Sequence, residues 1–162
     1  MNPKVRKVVR ITSLLLLLAV FLFAGSNRPA QAGVTLPLKV PADVEWVSTG
    51  IWIYSDWVGS EVNIQTNGVV FTIQGCPGCQ SGPGGNEYVC QDSSDGEIEY
   101  VCALAGAHYG ELIGRVGEVV FPIGENTSFT LPAKGFLYLT ANDYLGTYWD
   151  NAGGFTVLIK MK

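Results

Sequence analysis

Residues 135–162, GFLYLTANDYLGTYWDNAGGFTVLIKMK, read as a strand, a long polar loop and a second strand. The alternating runs Phe136-Leu137-Tyr138-Leu139-Thr140 and Phe155-Thr156-Val157-Leu158-Ile159 carry the β-branched and aromatic side chains that suit a pleated, half-buried surface. Both are predicted core strands. Between them stand Asn142, Asp143, Thr147, Asp150 and Asn151, interleaved with Gly146, Gly153 and Gly154, whose backbones reach conformations other residues resist. Hard oxygen donors on a bent loop suit Ca²⁺. The plainer alternative is a polar connection whose Asn, Asp and Thr satisfy turn backbone.

The same grammar extends upstream. Val44–Val47 and Ile51–Tyr54 read as early strands separated by Thr49-Gly50, and Glu61–Thr66 alternates as EVNIQT. Asn67-Gly68, set between that run and Val69–Ile73, predicts a hairpin turn. Gly75–Gly85 is too rich in Gly and Pro for regular structure and reads as a loop held by its cysteines. Glu87–Val89 and Ile98–Leu104 then read as the arms of an acidic hairpin around Gln91–Gly96, whose Asp-Gly ending favours a tight turn. Runs at 111–117, 119–123 and 127–131 follow. No segment beyond residue 32 spaces apolar residues helically over three turns. The expected class is all-β, a two-sheet sandwich.

At 162 residues and 48% hydrophobic content the chain has room for about one well-filled domain. It opens with Lys4, Arg6, Lys7 and Arg10, an apolar run Leu14–Phe23, and small residues ending Ala30-Gln31-Ala32. That is the pattern of an export signal cleaved after Ala32, and the apolar run is shorter than the ~20 residues of a spanning helix. The expected organisation is a signal at 1–32, a linker at 33–42 and a sandwich at 43–162, secreted or periplasmic, with no stable membrane anchor after cleavage. Five of the ten Lys and Arg precede Gly33 whereas all fourteen Asp and Glu follow it, so the exported part carries −9. Such a charge disfavours nucleic acid and anionic lipid as partners.

Cys76, Cys79, Cys90 and Cys102 all lie in the exported part, and an even count in an oxidising compartment predicts two disulfides. Four cysteines allow three pairings. The near-repeat of Glu87-Tyr88-Val89-Cys90 and Glu99-Tyr100-Val101-Cys102 favours joining Cys90 to Cys102, and Cys76 would then join Cys79, although spacing leaves connectivity open. The CxxC spacing of Cys76 and Cys79 also invites a thiol oxidoreductase reading, but Gln80-Ser81-Gly82-Pro83 is no helix start to activate a thiol. His108 is the sole histidine and has no recognisable nucleophile beside it, so it reads as a surface or packing residue. Asp92, Asp95, Glu97 and Glu99 suggest no defined acid–base pair. Trp46, Trp52 and Trp57 read as sandwich core rather than as a stacking platform. Asn126-Thr127-Ser128 matches the N-glycosylation pattern.

The loop Asn142–Phe155, NDYLGTYWDNAGGF, resembles the calcium loop of the PA-I galactophilic lectin family. Thr49-Gly50-Ile51, Gly82–Asn86 and Gly110–Gly117 each resemble a further segment of that family, in the same order. The resemblance implies a jelly-roll-like, galactose-binding-domain-like sandwich whose bound Ca²⁺ coordinates two hydroxyls of a galactose-type sugar. Carried onto this chain, it implies metal ligation by Asp143 carboxylate oxygens, the Thr147 backbone carbonyl, side-chain oxygens of Asp150 and Asn151, and a backbone carbonyl near Thr72. It also implies that Thr147 and Asp150 stand near the sugar; the candidate sugar contacts are Asp143, Tyr144, Thr147 and Asp150, and by residue chemistry a ring of Tyr144, Tyr148 or Trp149 suits the apolar face of a pyranose. Two departures stand out. Asp150 replaces an Asn of the family pattern, and the family's His-Pro-Asp-Gln sugar-contact segment has no counterpart. In its place lies the longer insert Glu87–Tyr109, which either defines a different ligand surface or covers the site.

The expectation is therefore a non-enzymatic, calcium-dependent carbohydrate-binding protein whose partner is a sugar or glycoconjugate. Homo-oligomers, common in the family, would add avidity. The alternative is a structural or protein-interaction sandwich with a degenerate sugar site.

Overall fold

The computed structural model describes residues 35–73 and 75–161. The segment read as an export signal, residues 1–32, with its expected cleavage after Ala32, lies outside them. Among the described residues there are eleven strands: β1 Thr35–Pro41, β2 Val47–Ile53, β3 Glu61–Phe71, β4 Gln80–Ser81, β5 Ser93–Ser94, β6 Glu99–Tyr100, β7 Leu112–Val116, β8 Val119–Pro122, β9 Ser128–Thr130, β10 Gly135–Ala141 and β11 Ala152–Met161. The helical elements among the described residues are two three-residue 3-10 turns, Pro77–Cys79 and Tyr148–Asp150. None is long and apolar enough to cross a membrane.

One sheet runs β1-β11-β3-β4 with β9 also on β3, and a second runs β2-β10-β7-β8. All of their pairings are antiparallel. Alternation along the strands decides which side chains meet between the sheets. Phe155, Val157 and Ile159 of β11 point inward with Val62, Ile64 and Val70 of β3. From the other sheet they meet Ile53, Leu112, Val116, Leu137 and Leu139, and all belong to one buried cluster. The fold is an all-β, two-sheet sandwich. β10 and β11, consecutive in sequence, are central strands of different sheets, so the loop 142–151 crosses from one sheet to the other at an edge of the core.

Several local expectations give way to pairing. The segment read as a linker, 33–42, contains β1, which is held along its whole length by β11 from Thr35↔Lys160 to Pro41↔Gly154. Asn67-Gly68 makes no hairpin. β3 runs straight through it, and Gly68 pairs with Phe155. A Cβ on Gly68 would collide with the Gly154 carbonyl oxygen, so glycine serves here for close strand approach rather than for a turn. Thr49-Gly50 likewise interrupts nothing. β2 continues through a bulge opposite Phe136–Tyr138, where Thr49 Oγ1 donates to the Leu137 carbonyl at 2.8 Å and accepts from the Ile51 N–H at 3.1 Å.

The acidic hairpin is shorter than its pattern suggests. Its arms are Ser93–Ser94 and Glu99–Tyr100, closed by Asp95 Oδ1, which accepts the N–H groups of Glu97 and Ile98. Those bonds hold the Asp95 carboxyl below its ordinary range. Val89 instead bridges His108. The tryptophans also part company: Trp57 packs against the core, but Trp52 is 42% exposed with its ring edge-on to Phe136, and Trp46 lies under the Arg115 guanidinium, 4.4 Å from its ring centre. The outer face of the second sheet, not the core, takes both.

Candidate metal and ligand site

The crossing loop is fastened from below by one side chain. Asn142, fully buried, donates through Nδ2 to the carbonyls of Leu104 and His108 at 3.0 and 3.2 Å, and its Oδ1 accepts the Leu104 N–H at 2.9 Å. Its backbone N–H donates to the Glu111 carbonyl, and its own carbonyl accepts from Gly110. Asn142 is thus a structural bolt rather than a donor to a ligand. Ala103 N–H to the Asp143 carbonyl and Leu145 N–H to the Val101 carbonyl extend the attachment. The insert consequently lies against the loop.

Farther along, Thr147 Oγ1 donates to the Tyr144 carbonyl at 2.9 Å, and the Tyr148–Asp150 turn follows. Tyr148 is buried, and its hydroxyl donates to the Ala141 carbonyl at 3.0 Å. Burial pushes its phenol well above the ordinary range. That ring is core and cannot meet a sugar, contrary to the sequence expectation. Trp149 is 80% exposed and stands apart from the cleft described below.

What the loop leaves unsatisfied is specific. Asp143 Oδ2, Asp150 Oδ1 and Asn151 Oδ1 are all buried without a hydrogen-bond partner. On two of these groups the other atom is engaged: Asp143 Oδ1 accepts the Tyr144 N–H at 2.7 Å, and Asn151 Nδ2 donates to the Ala42 carbonyl at 3.2 Å. Buried polar atoms are nearly always paired, so three bare acceptors from one loop call for a cation or donors not supplied by the chain. Burial pushes the Asp143 carboxyl up from 3.8 to about 6, against the lowering effect of the Tyr144 N–H and the Asn151 side chain, and the nearby Asp150 charge raises it further. Among the described residues no three His, Cys, Asp or Glu side chains converge as a metal cluster. Two carboxylates completed by amide and carbonyl oxygens nevertheless fit Ca²⁺, which takes oxygen ligands of all three kinds.

Thr72, Asp143, Tyr144, Thr147 and Asp150 line one cleft of about 300 Å³, while Asn151 does not reach its wall. The pattern-based site residues therefore converge, although Thr72 comes from just past the end of β3, in the other part of the chain. Other lining residues carry no such pattern. Ile73, Gly78 and Cys79 border the cleft from the cysteine loop, and Asn86, Tyr88 and Tyr109 border it from the insert and the segment before it. Cys76 is bonded to Cys79 within the first stretch, and Cys90 to Cys102 beside the second. The cysteines are the available signal, since a stapled loop offers a fixed wall. Thr72 is tied to that wall by its N–H and Oγ1, which both donate to the Cys79 carbonyl.

Tyr144 joins the two halves. Its ring lies 5.3 Å from Tyr100 and 5.5 Å from Tyr109, and its hydroxyl donates to the Gln91 carbonyl at 3.3 Å. Burial, then Tyr144, raises the Tyr109 phenol beyond its ordinary range. The insert forms a side wall of the cleft rather than a cover over it.

No family model matches this chain, and no curated protein matches it. Among solved structures it is similar to one described as the EclA N-terminal domain, a PllA-like lectin, at 23% identity over 82% of this chain and 100% of that domain, with a TM-score of 0.60. What the two share at that identity is the sandwich fold. The match does not single out the PA-I galactophilic family.

Proposed function

We propose that this protein is an exported, calcium-dependent carbohydrate-binding protein without enzymatic activity, its site built on the loop 142–151. The observation that carries the reading is the set of three buried, unpartnered oxygens on Asp143, Asp150 and Asn151 beside a solvent-accessible cleft, in a sandwich similar to a lectin domain. In this reading those oxygens, with the backbone carbonyls of Thr147 and Thr72, hold Ca²⁺. The bound ion would supply open coordination places that sugar hydroxyls fill. Asp150 and Asp143 then also accept hydrogen bonds from those hydroxyls, and Tyr144 offers a ring edge to the pyranose. The family resemblance makes galactose-type sugars the first ligands to try. The two disulfides suit an oxidising compartment.

A glycan array read with Ca²⁺ and with EDTA tests metal use and ligand class together, supported by calorimetric titration of Ca²⁺ into the wild type and Asp143→Ala. Calcium-dependent glycan signal, with metal binding lost in the variant, is the expected result. Neither metal nor glycan binding by the wild type would leave a structural sandwich and overturn the proposal.

A further inference from the structure

Tyr88 differs from the other tyrosines of the cleft. Tyr109 and Tyr144 are packed on each other, but Tyr88 is 61% exposed and has no ring partner among the described residues. Beside it on the cleft wall Ile73 is 51% exposed. An exposed apolar pair on a loosely held loop would mean little, yet the Tyr88 backbone is held on both sides. Its N–H donates to Asn86 Oδ1 at 2.9 Å, its carbonyl accepts from Tyr109, and Asn86 N–H donates to the Tyr109 carbonyl. Cys90, two residues on, is fully buried and disulfide-bonded to Cys102. On the other side the Ile73 carbonyl accepts the N–H of Cys76, which is bonded to Cys79.

Two segments, each fastened by hydrogen bonds and adjoining a disulfide, thus present an unpaired aromatic ring and a branched aliphatic side chain to the cleft that holds Asp143 and Asp150. Sugar rings have an apolar face of C–H groups that packs on such surfaces, and a rigid platform loses little entropy on binding. We infer that the cleft is an extended site in which Tyr88 and Ile73 receive a second pyranose ring, linked to the one bound at the Asp143–Asp150 oxygens. Tyr88 is the specificity-determining residue for that second unit. The inference rests on the carbohydrate-binding reading above and adds the length of the ligand.

The test titrates the calcium-loaded protein with methyl α- and methyl β-D-galactopyranoside and with the disaccharides melibiose and lactose, for wild type, Tyr88→Ala and Tyr88→Phe. At least one disaccharide should bind about fivefold to tenfold more tightly than either methyl glycoside, about 1–1.4 kcal/mol. Tyr88→Ala should abolish that advantage while leaving methyl glycoside and Ca²⁺ affinity unchanged, and Tyr88→Phe should retain it. Methyl glycosides that bind as tightly as both disaccharides, or a disaccharide advantage that survives Tyr88→Ala, would overturn the second subsite and leave the lectin reading standing. No binding of any of the four sugars to calcium-loaded wild type would overturn the galactose-type reading, and the subsite with it.

Discussion

Replacing Asp143 by Asn should stabilise the calcium-free protein at neutral pH. Asp143 is 4% exposed, and the rise of its carboxyl from 3.8 to about 6 means that the folded state holds the proton more tightly than the unfolded chain. For an acid shifted upward, the associated stability is fully present below the unfolded value and is lost as pH climbs through the folded one. At about 1.4 kcal/mol per pH unit, the charged carboxylate costs the metal-free fold about 3 kcal/mol above pH 7. Asn keeps an oxygen for the Tyr144 N–H and removes the buried charge that the neighbouring Asp150 opposes. In EDTA at pH 7.5, Asp143→Asn should therefore melt higher than wild type by on the order of 10 °C, using about 3–5 °C per kcal/mol for a domain of this size. The gap should close near pH 4. Calcium should reverse the order at a thousandfold excess over Kd, where the ion adds about 4.1 kcal/mol to the wild type alone. Tryptophan-fluorescence melts across pH 4–8, with EDTA or Ca²⁺, measure all of this. An Asp143→Asn protein less stable than wild type in EDTA at pH 7.5, or a wild type indifferent to calcium, would refute the reasoning.

The other predictions concern the frame around the site. Gly68→Ala places a Cβ against the Gly154 carbonyl at φ +123°, whereas Gly59→Ala meets nothing within 4 Å, so urea denaturation should show the former costing about 2–4 kcal/mol and distinctly more than the latter. Asn142→Ala removes three side-chain hydrogen bonds and leaves part-buried backbone groups of Leu104 and His108 without them; a loss of about 3 kcal/mol is expected, with faster amide exchange concentrated in residues 101–109. The double change Cys90→Ser, Cys102→Ser opens a link between residues 12 apart, which should cost about 3 kcal/mol and expose the insert to limited proteolysis. Retained protease resistance would show that the insert is held by its hydrogen bonds alone.

The oxygen-rich loop is legible in the sequence because its residue types and the flanking period-two strands are local properties. Inward-facing Leu137, Leu139, Phe155, Val157 and Ile159 follow directly from that alternation. Asn142 marks where such reading stops: its residue type suits a ligand, and only its contacts with Leu104 and His108 reveal a bolt. Tyr148 misleads for the same reason, since one aromatic ring in a loop looks like another until its burial is known.

The glycine at 68 makes the point for the backbone. Asn-Gly is a hairpin signal when nothing else competes, and here the whole length of β11 competes and wins the pairing. The all-β class, the inward faces of the central strands and the loop that carries the oxygens are all encoded locally, because each depends on neighbours in the chain. That β10 and β11 belong to different sheets is a matter of tertiary pairing. The loop crossing between them leaves Asp143, Asp150 and Asn151 with bare, buried oxygens. Thr72, the Cys76–Cys79 turn and Tyr88 then wall the cleft from distant parts of the chain, a placement that follows from sheet pairing and core closure, which no local pattern encodes.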